Sequence, residues 1–301
     1  MERLHKEIGK LLGDREFASA EDVNAFLREK VRAGEFNQLL AGSETPGDPI
    51  EQAQDLCWQA AEAPSFAEAK RLFEQALALD PGCTDALVFI AKGAKSPEAA
   101  VEVLEQTVLA AAERLGGAKY LRENKGHFWG LAETRPYMRA KSALAEAYQD
   151  ADRQLDAIAE YEHMLELCPG DNMGIRYVLL GRYIRVGDFH RAKRLMKQYD
   201  NEDSTIFLYG RLFVEILSEE FGKAKRTLKR ARAENRHVYE FLIGAREELP
   251  EPAGFYSPGD ESEAAYCLES LHEAFICNPS LILWMVDQAK SRGELPALPV
   301  Q

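Results

Sequence analysis

Apolar residues recur at helical spacing along most of the chain. Leu144 and Tyr148 stand four apart, as do Ala157 and Tyr161, so each pair occupies one face of a helix. The small Ala157 lets two helices approach closely, and Tyr161 fills the space beside it. Pro169 closes this stretch, because proline cannot continue the second helix. Residues Arg135 to Pro169 therefore predict two helices joined by a turn and packed through facing apolar stripes.

The same spacing returns elsewhere. Ala69, Phe73, Ala76 and Pro81 repeat the second half of the pattern behind a first helix marked by Leu56. A degenerate unit begins at Cys83, turns at KSPEAA and carries Ala100 and Leu104 on a second helix extending through VLAAAERLG. A fourth unit has Leu179, Tyr183, the turn Gly187-Asp188-Phe189, Ala192 and Met196; a fifth keeps Ala224, Leu228 and Ala231. These offsets resemble the tetratricopeptide repeat, in which L-G-x2-Y leads to A-x3-F and then Pro within about 34 residues. The fold this implies is all-α: a right-handed α-solenoid of about five helix pairs with flanking capping helices.

The expected organisation is a helical lead-in over 1–45, units 1–2 over 50–115, an irregular insertion over 116–134, units 3–5 over 135–236, a helical cap over 237–290 and a tail over 291–301. In the lead-in, Leu4, Ile8, Leu11 and Leu12 predict a short helix, and Ser19 with Asp22 predicts the start of a second. Ser43 to Pro49 has the composition of a linker. The last apolar helices, SEAAYCLESLHEAFICN and SLILWMVDQAKSRG, are expected to cover the open end of the stack.

Charge narrows the function classes. The formal net charge of −13 argues against a nucleic-acid partner for the chain as a whole. Yet Gly174 to Arg236 holds 15 basic and 8 acidic residues, a net of +7, leaving −20 for the rest. Five scattered cysteines with no C-x-x-C spacing suggest reduced, buried thiols rather than a disulfide frame or zinc site. The charged start lacks a signal-peptide core, and no apolar run approaches the ~20 residues needed to span a bilayer. A cytoplasmic protein without cofactor or metal is expected.

Several stretches are more distinctive than the repeat offsets: GHFWG (Gly126 to Gly130), TRPYMRA (Thr134 to Ala140), PGDNMGIRYVLL (Pro169 to Leu180), HVYEFLIG (His237 to Gly244) and YSPGDESEAAY (Tyr256 to Tyr266). Through them the chain resembles a group of bacterial tetratricopeptide proteins that are themselves similar to the suppressor of tumorigenicity 7 proteins of animals. The resemblance covers roughly Gln52 to Trp284. It implies a helical repeat fold and no established enzymatic activity. The animal relatives are thought to be membrane proteins, but this chain has no spanning segment, so localisation is not carried over.

Three candidate sites follow. The first is an edge set of His127, Trp129 and Arg135 with Arg139, Asn172 and Arg176. Arg139 and Arg176 lie early on first helices, which line the groove of such superhelices, and could hold a partner carboxylate. The alternative is that the insertion packs back on the stack, with Trp129 as a core plug and the arginines satisfying carbonyls or Glu133. The second is the aromatic set Tyr177, Tyr209 and Phe213, able to stack on a peptide in the groove or, equally, to pack between repeats. Ser142, Glu146, Tyr177 and Gly181 stand where carboxylate-clamp repeats have Lys and Asn, so an acidic chaperone tail is not the expected ligand. The third is a basic face of Arg191, Lys193, Arg194, Lys197, Lys223, Lys225, Arg226, Lys229, Arg230 and Arg232 on second helices, which would attract an acidic protein or RNA or simply be solvated.

Catalytic signals are sparse. His163 and Glu166 share a helical face without a nucleophile beside them, and no nucleophile elbow, zinc motif or phosphate loop occurs. Cys168 ends a helix, where the dipole disfavours an activated thiolate. The expected function is a non-enzymatic scaffold binding a protein or peptide segment in its groove. The alternative is a regulator binding RNA or an acidic partner through residues 191–232. Self-association through the C-terminal helices is a further expectation.

Overall fold

The computed structural model describes residues 8–9, 11–13, 15–34, 48–248, 250–251 and 255–294. The expected first helix, around Leu4 to Leu12, lies partly outside these residues, as do 43–47 of the linker and 295–301 of the tail. The protein is all-α, with no strand among the described residues. Nor is any helix among them long and apolar enough to cross a membrane. The chain forms two compact units that divide between Gly170 and Asp171. That boundary falls between the third and fourth of the expected units.

In the first unit, α1 (Ala20–Arg32) begins where Ser19 accepts a hydrogen bond from the Asp22 N–H at 3.2 Å. Asp48 caps α2 (Pro49–Ala61) and Pro49 occupies its first turn, so these two residues start a helix rather than ending a linker. Then follow α3 (Phe66–Leu79), α4 (Thr84–Lys92) and α5 (Pro97–Leu115). Ser96 caps α5 through the Ala99 N–H, and Gly116 ends it in a left-handed conformation, φ 109°. The insertion is more regular than expected. It holds α6 (Gly117–Glu123) and two short 3-10 turns, Phe128–Gly130 and Ala132–Thr134. The pair α7 (Arg135–Asp150) and α8 (Gln154–Leu167) completes the unit.

Neighbours in sequence pack together: α2 on α3, α4 on α5 and α7 on α8, while α7 also lies against α5 and α4. One core cluster joins Ala53, Cys57, Ala76, Cys83 and Ala86, with Leu56, Phe73 and Leu77 beside it. The small residues let α2, α3 and α4 meet closely. A two-pronged ion pair from Arg114 to the buried Asp80, both contacts 2.6 Å, ties the end of α3 to that of α5.

The second unit contains α9 (Ile175–Arg185), α10 (Phe189–Gln198), α11 (Thr205–Leu217), α12 (Phe221–Glu234), the short α13 (Arg236–Leu242), α14 (Glu261–Ile276) and α15 (Pro279–Arg292). Gly187 and Asp188 make the expected turn, with Asp188 capping α10 through the Arg191 N–H at 2.9 Å. α14 lies along both α9 and α11, while α15 packs on α11 and α14. Two glycines permit this density. A Cβ on Gly181 would stand 2.0 Å from the Ser270 carbonyl oxygen of α14, and one on Gly210 would stand 2.5 Å from Leu180. The stretches HVYEFLIG and YSPGDESEAAY are organised by one buried knot. Asn235 accepts from the His237 N–H and donates to the Asp260 carbonyl and the Glu263 carboxylate, and its own carbonyl accepts from Tyr209. Glu263 also receives the Gly259 N–H.

Candidate functional site

The insertion folds onto α7 and α8. The Gly126 N–H donates to the Leu167 carbonyl, and Lys125 pairs with Glu166 at 2.7 Å. Phe128 is wholly buried and serves as the plug, whereas its neighbour Trp129 is half-buried and His127 exposed. Arg135 is buried; its guanidinium stacks on Trp129 at 5.3 Å and donates to the Trp129 carbonyl at 3.2 Å. Thr134 donates to the Phe128 and Leu131 carbonyls. Glu133 is held by Tyr120 at 3.0 Å. His127 and Trp129 face a surface, and Arg135 holds the loop.

Arg139 lies on α7 and grips Asp85 of α4 with two contacts of 2.7 and 2.6 Å. Gln54 of α2 donates to the same carboxylate at 2.7 Å. Arg139 is still about one-third exposed, so the charged network on α2, α4 and α7 is reached by water. Deeper, Lys141 is almost completely buried against Glu160 and under the Tyr137 ring. His163 is half-buried nearby, and burial and then Lys141 push its pKa down. His163 and Glu166, which share a helical face, thus stand beside two ion pairs, Lys141–Glu160 and Lys125–Glu166.

In the second unit Arg176 is fully engaged. It contacts Asp171 at 2.8 Å and Glu202 at 2.9 and 3.1 Å, donates to the Tyr177 hydroxyl at 2.6 Å and lies over the rings of Tyr177 and Tyr199. Asp171, at φ 48°, receives the Ile175 and Arg176 N–H groups and so closes the start of α9 with its own carboxylate. Burial pushes the Asp171 carboxyl up, against the pull of these donors. Burial acts the same way on Glu202, but there Ser204, Arg176 and Tyr177 outweigh it and the carboxyl is lowered. Asn172 is exposed beside this turn. A partner carboxylate at Arg176 would have to displace two internal ones, so the expectation of an available guanidinium is corrected.

The aromatic set is likewise revised. Tyr209 and Phe213 are wholly buried. Tyr209 donates to the Asn235 carbonyl at 2.8 Å, and Phe213 meets Phe275 of α14 at 5.6 Å. Arg182 donates to Glu273 of α14 at 2.5 Å. The face of α9 and α11 expected to line a groove is therefore covered by the chain's own α14. Only Tyr177 of that set is partly exposed, with its hydroxyl donating to Glu202 at 3.0 Å.

The basic face divides into two classes. Arg191 pairs with Asp188, Lys193 and Lys223 share Glu220, Arg230 reaches Asp203 and Arg232 reaches Glu294. The two lysines hold the Glu220 carboxyl down at about 2. Arg194, Lys197, Lys225, Arg226 and Lys229 are exposed and make no ion pair among the described residues. Lys193, Lys197, Arg211 and Lys223 line a cleft of about 370 Å³ together with Glu215, Glu220, Met196 and Val214. Arg211, on α11, is a cleft residue that the sequence reading omitted. Its position between Gly210 and the buried Leu212 is the only local signal, and it does not distinguish this arginine from others. No group of three or more metal-ligating side chains is assembled among the described residues.

No family model matches the chain, and no curated protein is significantly similar to it.

Proposed function

We propose that this chain is a cytoplasmic, non-enzymatic interaction scaffold of tetratricopeptide-type helix pairs, stacked as a right-handed solenoid and related to the group similar to the suppressor of tumorigenicity 7 proteins. Its docking surface is the cationic face of α10 and α12, and its partner is an acidic protein segment. The observation that carries this reading is the set of five exposed cations on these helices that have no ionic partner among the described residues, in a chain whose remainder is net −20. Cations left unpaired beside pairs such as Lys193–Glu220 sustain a positive field, which speeds encounter with an opposite charge. The helix pairs supply a rigid backing for it. The groove reading is weaker in the second unit, since α14 occupies the α9 and α11 face.

The test is fluorescence anisotropy with a labelled Glu-rich peptide and, in parallel, a generic single-stranded RNA. Binding to the peptide that falls with salt, and at least tenfold weaker binding by Lys197→Glu/Arg226→Glu/Lys229→Glu, supports the proposal. RNA binding without peptide binding makes the chain a nucleic-acid regulator instead. Loss of peptide binding in Arg139→Ala but not in the triple variant returns the site to the first helices.

A further inference from the structure

Cys57 and Cys83 are 26 residues apart in sequence, yet their sulfurs lie 3.3 Å apart, in contact, within the core that joins α2 to α4. Cys57 sits mid-helix on α2, and Cys83 is the N-cap residue of α4. Both thiols are free, and no other cysteine shares this arrangement among the described residues. Both are buried, but a small cleft comes up to one side of the pair. Cys83 lines a cleft of about 130 Å³ together with Thr84, Asp80, Arg114, Pro136 and Tyr137. That volume admits a few water-sized molecules and little more.

We propose that Cys57 and Cys83 are a peroxide-oxidisable dithiol, with Cys83 the attacking thiolate and Cys57 the resolving thiol. The roles follow from placement. Cys83 faces the cleft and stands at a helix N-terminus, whose amide dipoles favour a thiolate. Its thiol is also lowered by the hydrogen bond shared with Cys57, against the opposing pull of burial, while Cys57 is raised by the same hydrogen bond and by burial. Hydrogen peroxide, the oxidant small enough for the cleft, loses its O–O bond to attack by the Cys83 thiolate. A sulfenic acid forms on Cys83 and hydroxide leaves. The Cys57 sulfur then attacks the Cys83 sulfur, the S–O bond breaks, and the departing hydroxide takes the Cys57 proton as water. Two thiols and one peroxide yield one disulfide and two waters.

The product ties the start of α4 to α2. Asp85, two residues beyond Cys83, and Gln54, three before Cys57, belong to the charged network gripped by Arg139. Oxidation therefore stiffens the support of the water-reached surface of the first unit. Thiol–disulfide exchange reverses it.

The experiment treats the full chain with a small molar excess of hydrogen peroxide, alkylates it under denaturing conditions and digests it without reductant for mass spectrometry. The expected result is a Cys57–Cys83 cross-linked peptide two hydrogens lighter than its parts, dissolved by dithiothreitol. Cys168, Cys267 and Cys277 remain alkylated. Cys57→Ser should accumulate a dimedone-reactive sulfenic acid on Cys83, whereas Cys83→Ser should leave Cys57 unlabelled. Oxidation confined to the exposed Cys277, a cross-link to any other cysteine, or no reaction at the pair would overturn the proposal. The wild-type mass analysis decides the matter even if a variant folds poorly.

Discussion

In the first unit, α4 and α7 meet across Asp85 and Arg139, an ion pair that water still reaches. In the second, α11 presents Tyr209, Leu212 and Phe213, all wholly buried, and lies with α9 beneath α14. One surface is polar and left accessible; the other is apolar and supplied with a cover from the same chain. The difference follows from cost. Apolar area left open to water forfeits about 25 cal/mol per Å², whereas a charged network in solvent loses little. A helical array can leave a face uncovered only where that face is polar, which directs the search for partners to charged surfaces.

The comparison is broken most severely by removing the cover's contacts. Phe213→Ala should cost about 4 kcal/mol, since it empties a fully buried ring site. Urea unfolding by circular dichroism measures it, and a loss below about 1 kcal/mol would mean that α14 is not held there. Gly181→Ala should cost about 3 kcal/mol, because the new Cβ meets a backbone oxygen rather than a pliant side chain. The Asp80–Arg114 clasp comes next. Arg114, opposed by burial and aided by the Gly82 N–H, holds the Asp80 carboxyl below the ordinary carboxylate range. Its contribution is present above that range and lost as the pH falls through it. Asp80→Asn should cost about 2 kcal/mol at neutral pH and flatten the acid limb of the stability curve. Arg139→Ala, in a pair partly screened by water, should cost about 1 kcal/mol. The smallest effect is expected from Arg226→Glu/Lys229→Glu, which should leave the unfolding midpoint unchanged while weakening binding to an acidic peptide.

Helix boundaries were legible where a local chemical signal marks them. Ser19, Ser96 with Pro97, and Gly187 with Asp188 each act within four residues, and each begins a helix where its side chain dictates. α6 was missed because seven residues behind two glycines carry too few periodic positions to register. The inward use of Arg176 depends on Glu202, 26 residues later in a loop, and on the left-handed turn at Asp171. Neither leaves a periodic trace. The same holds for Cys57 and Cys83, which spacing alone scatters and the packing of α2 on α4 unites. Phe213 illustrates the general difficulty: an aromatic on a helical face has the same pattern whether a partner or the chain itself covers it.

The contact between Arg182 and Glu273 spans 91 residues. During synthesis at about 5–20 residues per second, α9 would wait roughly 5–18 s for the helix that covers it. Once α11 has been made, Leu212 and Phe213 would depend for the rest of that interval on transient partners, chaperones among them, to stay out of aggregates. Any truncation ahead of Glu261 would make that wait permanent.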